Sequence, residues 1–249
     1  MEKPGLLTDA ELRAVWPIRR EKTYHVPRGT IITPAARDYL RENGIELVYD
    51  RDTMTVTSIP MRDGKPEFRS GETGQALSEK PEDMTHLRGN LLVSKTHPRI
   101  GFRGKLDSLM ARVLLIQVTA EGECPGICDA LEEVLMLLRR LMAAEVKEQP
   151  LESFTLLGLS DGQIRSATHN LKRELGIDHP TPSHTMGRLC MELNLLRTQV
   201  REAELCAVRT FTENGACTRL DIVQALNRTS SCIYLLMCRK LAGYYDKRR

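Results

Sequence analysis

Asn194, Arg197, Arg201 and Glu204 are spaced three, four and three residues apart. On a helix that spacing puts them on one face, beside an apolar stripe. Two guanidinium groups one turn apart can converge on an oxyanion such as a phosphate. The same four residues also suit a solvated face with an Arg201–Glu204 pair. A second group is Asn227-Arg228-Thr229-Ser230-Ser231, five polar residues inside an otherwise apolar helix. Asn227, Ser231 and Tyr234 share a face there. Polar groups so placed need partners, and a ligand, a buried hydrogen-bond network or solvent can each provide them. A third group is the basic, turn-prone run Ser94-Lys95-Thr96-His97-Pro98-Arg99-Ile100-Gly101-Phe102-Arg103, which leads into a helix and could hold a phosphate.

Other chemistries lack their residues. The stretch from Gly89 to Thr96 resembles a Walker A loop, but Ser94 stands where the glycine before the lysine belongs. No preceding βαβ context supports it, so a P-loop nucleotidase is excluded. Cys124 and Cys128 have no second Cys or His pair at ligand spacing; Pro125 and Gly126 make that segment a turn at a helix start. His179 and His184 flank a proline-containing loop and read as ordinary loop residues. There is no Ser-His-Asp order and no Gly-x-Ser-x-Gly elbow.

The elements that must carry these groups are mostly helical. Leu106, Leu109, Met110, Val113 and Leu114 recur at helical spacing, as do Leu131, Val134, Leu135, Leu138, Leu141 and Met142. Ser160-x-x-Gln163 is a capping box, with Gly176 at the matching stop position. Leu189, Leu193, Leu196, Val200, Ala203, Ala207 and Phe211 form a long stripe. Thr218-x-x-Asp221 opens a last helix with Ile222, Leu226, Ile233, Leu236, Met237 and Leu241 inside. The expected fold is mainly α, a five-helix antiparallel bundle over residues 95–249. Residues 1–50 read as a small N-terminal αβ unit. Val26–Ile32 is extended there, Thr33-Pro34 starts a helix that stops at Asn43-Gly44, and Ile45–Tyr49 is a strand. Residues 51–94 read as a linker or loop region, rich in Gly and Pro through residue 81.

Composition fits this reading. Aromatic residues are 4% of 249, which favours helices over strands. A net charge of +3 is too small to argue for nucleic acid. No apolar run is long enough for a bilayer or a secretion signal. The seven scattered cysteines are then expected to be reduced thiols of a cytoplasmic protein.

Three stretches taken together resemble the corrinoid adenosyltransferases, most of all the ethanolamine-utilisation type, a relative of the propanediol-utilisation type. They are Lys95-Thr96-His97-Pro98-Arg99-Ile100-Gly101-Phe102-Arg103-Gly104-Lys105-Leu106-Asp107-Ser108, then Leu195-Leu196-Arg197-Thr198-Gln199-Val200-Arg201-Glu202-Ala203-Glu204, then Asp221-Ile222-Val223-Gln224-Ala225-Leu226-Asn227-Arg228-Thr229-Ser230-Ser231. Thr33-Pro34-Ala35-Ala36-Arg37-Asp38-Tyr39-Leu40 is similar to the family's opening segment.

The resemblance implies a homo-oligomer, trimer or dimer, with ATP bound between subunits and cobalamin as the second substrate. Lys95 and Arg99 would meet the triphosphate, with Mg²⁺. Asp107 would pair across the interface with Arg197. Arg201 and Glu204 would help bind ATP, and Asn227 would touch the nucleotide. The loop Gly176–Gly187 corresponds to the region beneath the corrin, with Ile177, Pro180 and Met186 as its apolar candidates. An electron-donating reductase would supply reduced cobalt, and the setting could be a bacterial microcompartment. Two features depart from the family. Some ethanolamine-type enzymes hold a divalent metal with a His and a Cys-Cys-x-x-Cys cluster in the linker. Here residues 51–94 contain His86 and no Cys, so no zinc or iron cluster is expected. The glycine-rich phosphate loop of the propanediol type is also missing. The lost metal cluster keeps a rival reading open, a non-catalytic helical scaffold of a metabolic compartment. A nucleic-acid-binding regulator has weaker support, since no helix-turn-helix spacing accompanies the Arg-rich helices.

Overall fold

The computed structural model describes residues 6–9, 12, 23–26, 30–49, 61–62 and 65–245. The chain divides into two compact units, Met1–Pro66 and Glu67–Arg249.

The first unit has its own small core of Leu7, Leu12, Val26, Ile32, Ala36, Leu40 and Ile45. Strand β1 (Leu6–Leu7) pairs in parallel with β3 (Ile31–Ile32), and β2 (Thr23–Val26) pairs in parallel with β4 (Glu46–Tyr49). Helix α1 (Pro34–Glu42) lies between β3 and β4 in the chain. Thr33 caps it by accepting from the Ala36 N–H at 3.2 Å, with Pro34 in the first turn. Gly44 leaves the helix at φ 63°, a conformation glycine adopts without strain. The expected Val26–Ile32 segment divides: Val26 ends one strand and Ile31 begins another, while 27–29 lie outside the described residues. A two-residue-per-strand ribbon, β5 (Met61–Arg62) with β6 (Lys65–Pro66), completes this unit.

The second unit begins with a sheet where sequence periodicity suggests a linker. Strands β7 (Phe68–Ser70), β8 (Ala76–Leu77), β9 (Met84–Arg88) and β10 (Leu91–Ser94) form one four-stranded sheet in the order β8-β7-β10-β9. The strands are too short for alternation to show. Burial of Phe68, Leu87, Leu92 and Val93 holds them. Most of the remaining expected linker, 51–60 and 63–64, lies outside the described residues.

Mainly helical structure follows. Four long helices share one core: α2 (Pro98–Glu123), α3 (Pro125–Val146), α6 (Arg188–Phe211) and α7 (Leu220–Leu241). Phe102, Leu106, Leu109, Val113, Ile116 and Ala120 step along α2 by alternating fours and threes. Ile127, Leu131, Val134, Leu138 and Leu141 do the same on α3. That step keeps one seam facing its neighbours along nearly parallel axes. Contacts near the helix ends give the directions. Thr210 on α6 donates to the Pro98 carbonyl, and Asp221 at the start of α7 accepts from the Leu151 N–H just beyond α3. Phe102 and Phe211 meet edge to face at 5.4 Å.

The expected fifth helix is two short ones, α4 (Asp161–His169) and α5 (Leu171–Leu175), with contacts to α7. The capping box forms, Ser160 N–H donating to the Gln163 side chain at 2.9 Å, and Gly176 ends α5 at φ 72°. Cys124 sits at the α2–α3 turn, and all seven cysteines are free thiols. Among the described residues no helix is long and apolar enough to cross a membrane.

Candidate functional site

The polar face of α6 meets the polar run of α7. Arg197 donates from Nε and Nη2 to Asn194 Oδ1 at 3.2 and 3.0 Å. Two turns on, Glu204 accepts from Asn227 Nδ2 at 2.9 Å, joining the two helices. Glu204 is therefore committed to Asn227. Arg201 is exposed, with no ion-pair partner among the described residues. A guanidinium left open one turn from Arg197 gives this face a net attraction for anions.

Most of the α7 polar run satisfies itself. The Thr229 hydroxyl donates to the Ala225 carbonyl at 2.8 Å, and Ser230 and Ser231 donate to the Asn227 carbonyl at 2.9 and 3.2 Å. Such back-bonding makes hydroxyls tolerable inside a helix. The groups not absorbed this way are Asn227, Arg228 and Tyr234. Arg228 donates from Nη1 to Asn227 Oδ1 at 2.5 Å and forms an ion pair with Asp161, the first residue of α4. Tyr234 Oη is 2.9 Å from His179 Nδ1, with the two rings stacked at 10° and 6.2 Å between centroids. Burial first, then the Cys238 thiol, pushes the Tyr234 phenol up to about 12.

The His179 contact ties the loop 176–187 to α7. Ile177 packs with Leu171, Leu235 and Cys238, and Met186 packs on the main helical core. Pro180 is half-buried next to His179. The loop is thus anchored near both ends and at His179.

Lys95, Arg99 and Asp107 are placed differently. Lys95 is exposed and reaches Glu82 at 3.3 Å. Arg99 is enclosed by acids. Its Nε donates to Glu145 Oε1 at 2.5 Å, its Nη1 to Glu148 Oε1 at 2.5 Å, and its Nη2 to the Glu145 carbonyl at 2.9 Å. Glu145 is fully buried and also pairs with Arg103, which donates to the Leu87 carbonyl on β9 at 2.9 Å. Arg88 of β9 pairs with Glu148. The cluster fastens the sheet to the start of α2 and the end of α3. The hydrogen bond from Arg99 holds the Glu148 carboxyl below its usual range. A phosphate reaching Arg99 would have to displace these carboxylates, so Lys95 is the more available cation of the two.

Asp107 is exposed on α2, beside a groove lined by Gly104, Lys105, Ser108 and Gln199. No Asp107–Arg197 ion pair forms within the chain. Asn194, Arg197, Glu204 and Asn227 are thus brought together, with Arg201 on the same helix face. Lys95, Arg99 and Asp107 are not joined to them by any described ion pair. Helical spacing put Tyr234 on a face with Asn227 and Ser231, and Arg228 lay in the polar run, but neither Asp161 nor His179 was singled out. The adjacency of Arg228 to Asn227 was the available signal; Asp161 meets it only through the fold. Among the described residues, no three His, Cys, Asp or Glu side chains group as a metal cage.

The profile of the cobalamin adenosyltransferase family matches residues 76–240. The corrinoid adenosyltransferase EutT of Salmonella typhimurium is 31% identical over 252 residues, covering 96% of this chain and 93% of that protein. The corrinoid adenosyltransferase EutT of Escherichia coli K12 is 32% identical over 245 residues, covering 93% and 90%. The corrinoid adenosyltransferase PduO of Salmonella typhimurium is 30% identical over 148 residues, covering 58% of this chain and 43% of that protein. No solved structure gives a significant match. The matched span includes α2, α3, α6 and nearly all of α7, and with them the Arg197–Asn227 face: this chain belongs to the cobalamin adenosyltransferase family.

Proposed function

We propose that the chain transfers the 5′-deoxyadenosyl group of ATP to the cobalt of a reduced corrinoid, in ethanolamine utilisation. The cobalt–carbon bond forms at C5′ as the C5′–O bond breaks, and triphosphate leaves. Cobalt(I) of the substrate is the nucleophile, so no protein base has to generate it. That accords with a site containing cations and amides and no general-base dyad.

The protein's task is then to place ATP and meet the charge that develops on the leaving group. The observation that carries this reading is the α6–α7 face, where Arg201 is open beside Arg197 and Glu204 is engaged by Asn227. Arg197 and Arg201 attract the triphosphate, with Lys95 as the further cation and Arg99 reaching it only by releasing its acids. Glu204 and Asn227 hold the nucleoside end. Mg²⁺ carried in by ATP supplies further positive charge to the phosphate oxygens.

The exposed Asp107, unpaired with Arg197 in its own chain, suits pairing with Arg197 of a second copy. The reading therefore includes a homo-oligomer, trimer or dimer, with sites at subunit interfaces. In that assembly α4 is the short fifth member of a five-helix bundle. Ile177, Pro180 and Met186 lie in the loop assigned to the corrin. A reductase would supply cobalt(I), in the cytoplasm or a microcompartment.

The test is direct. Protein incubated with ATP, Mg²⁺ and chemically reduced cobalamin should produce the absorbance change of adenosylcobalamin. No change under those conditions, with folded protein, would sink the reading.

A further inference from the structure

Asn227 has two neighbours of opposite and fixed hydrogen-bonding character. Glu204, as a carboxylate, only accepts, and it takes the amide N–H at 2.9 Å. Arg228 only donates, and it gives Nη1 to the amide oxygen at 2.5 Å. An amide turned over would set its oxygen against Glu204 and its NH₂ against Arg228, losing both bonds and gaining two repulsions. The orientation therefore has one solution. Arg228 is itself held at its far side by Asp161, and its side chain is only 14% exposed. A chain Glu204–Asn227–Arg228–Asp161 thus runs from α6 through α7 to the first residue of α4.

We infer that Arg228 is a positioning residue that locks the Asn227 amide for the nucleotide. This rests on the assignment of Asn227 to the ATP site above. With one amide hydrogen given to Glu204 and one oxygen lone pair taken by Arg228, Asn227 keeps a single N–H to offer. That hydrogen selects an acceptor on the nucleoside, a ribose oxygen or a ring nitrogen. Arg228 need not touch ATP itself. Its charge is already directed at Asn227 and Asp161, so its effect passes through the amide.

A double-mutant cycle separates these roles. The readouts are KM for ATP, kcat and the melting temperature without ligand. Arg228→Met should raise KM for ATP about tenfold, the scale of one lost charge-assisted hydrogen bond, with kcat nearly unchanged. Arg228→Lys, which keeps a donor, should recover part of the loss. In an Asn227→Ala background, Arg228→Met should add nothing to KM. Equal effects of Arg228→Met in both backgrounds would mean direct contact with the nucleotide and would overturn the inference, as would an unchanged KM in the single variant. If Arg228→Met melts before assay, Asp161→Asn loosens Arg228 from its outer side. It should shift KM in the same direction, and only when Asn227 is present; an unchanged KM there would overturn the inference. An Asn227→Ala protein with an unchanged KM would instead refute the ATP-site assignment beneath it.

Discussion

Arg99 donates to the carboxylate of Glu145 at 2.5 Å, and that carboxylate is fully buried at the end of α3. A buried acid depends on its cations far more than an exposed one does. Arg99→Met should therefore act mainly on stability, costing about 2–3 kcal/mol, the scale of a lost charged hydrogen bond, because Arg103 still pairs with Glu145. Urea unfolding would show a lower midpoint. Lys95, exposed and paired among the described residues with the still more exposed Glu82, should behave in the opposite way. Lys95→Ala should leave the midpoint unchanged and raise KM for ATP. Equal midpoints for the two variants would contradict this division.

Asp107 and Arg197 do not pair within one chain, yet the proposed site needs both. Asp107→Ala and Arg197→Ala should each lower kcat/KM by two orders of magnitude or more, on the order of 3 kcal/mol. Their melting temperatures should change little, because both residues are at least partly exposed. Mixing the two inactive variants under subunit exchange should restore part of the activity, since some interfaces would again hold one intact pair. Failure to restore any activity, with exchange verified, would place the two residues in separate roles.

The helical stripes were legible because burial along α2, α3, α6 and α7 repeats over many turns. The sheet of 68–94 was not. Its strands are two to five residues long, and several of the buried residues that hold them are isolated apolar positions among Gly, Pro and charged residues. Within the site, the spacing of Asn194, Arg197, Arg201 and Glu204 gave a shared face. It did not say that Glu204 would turn to Asn227 and leave Arg201 open. That choice is made across helices, where i,i+3 and i,i+4 rules are silent. The enclosure of Arg99 by Glu145 and Glu148 was hidden for the same reason, the partners being 46 and 49 residues away.

Tyr234 and His179 yield a prediction confined to one substrate. Tyr234→Phe removes the hydroxyl that joins α7 to the loop 176–187 and keeps the ring that stacks on His179. If that loop lies beneath the corrin, KM for the corrinoid should rise severalfold while KM for ATP stays constant. The cobalt(II) spectrum of bound corrinoid should shift with it, reporting a changed axial environment. A matched rise in both KM values would instead point to general loosening of α7.

Stability should fall at both ends of the pH scale, for opposite reasons. Glu148 is held low, chiefly by the Arg99 hydrogen bond. Asp221 is also held low; burial raises it, but Arg219 and the Leu151 and Ile222 N–H groups together outweigh burial. Carboxyls lowered on folding stabilise above their unfolded values, about 4, and that contribution is lost as pH falls through the folded values. Burial acts the other way on Tyr234, raised to about 12, and Cys238, raised to about 11. These groups keep their protons in the fold after the unfolded chain would release them. Their contribution is whole below about pH 9 and is lost as pH rises through the folded values. Melting temperature should thus be flat near neutrality, drop below about pH 4 and drop again above about pH 9. Asp221→Asn should shallow the acid limb alone, and Tyr234→Phe the alkaline limb alone. A crossed result, with either substitution flattening the opposite limb, would show that other groups govern the profile.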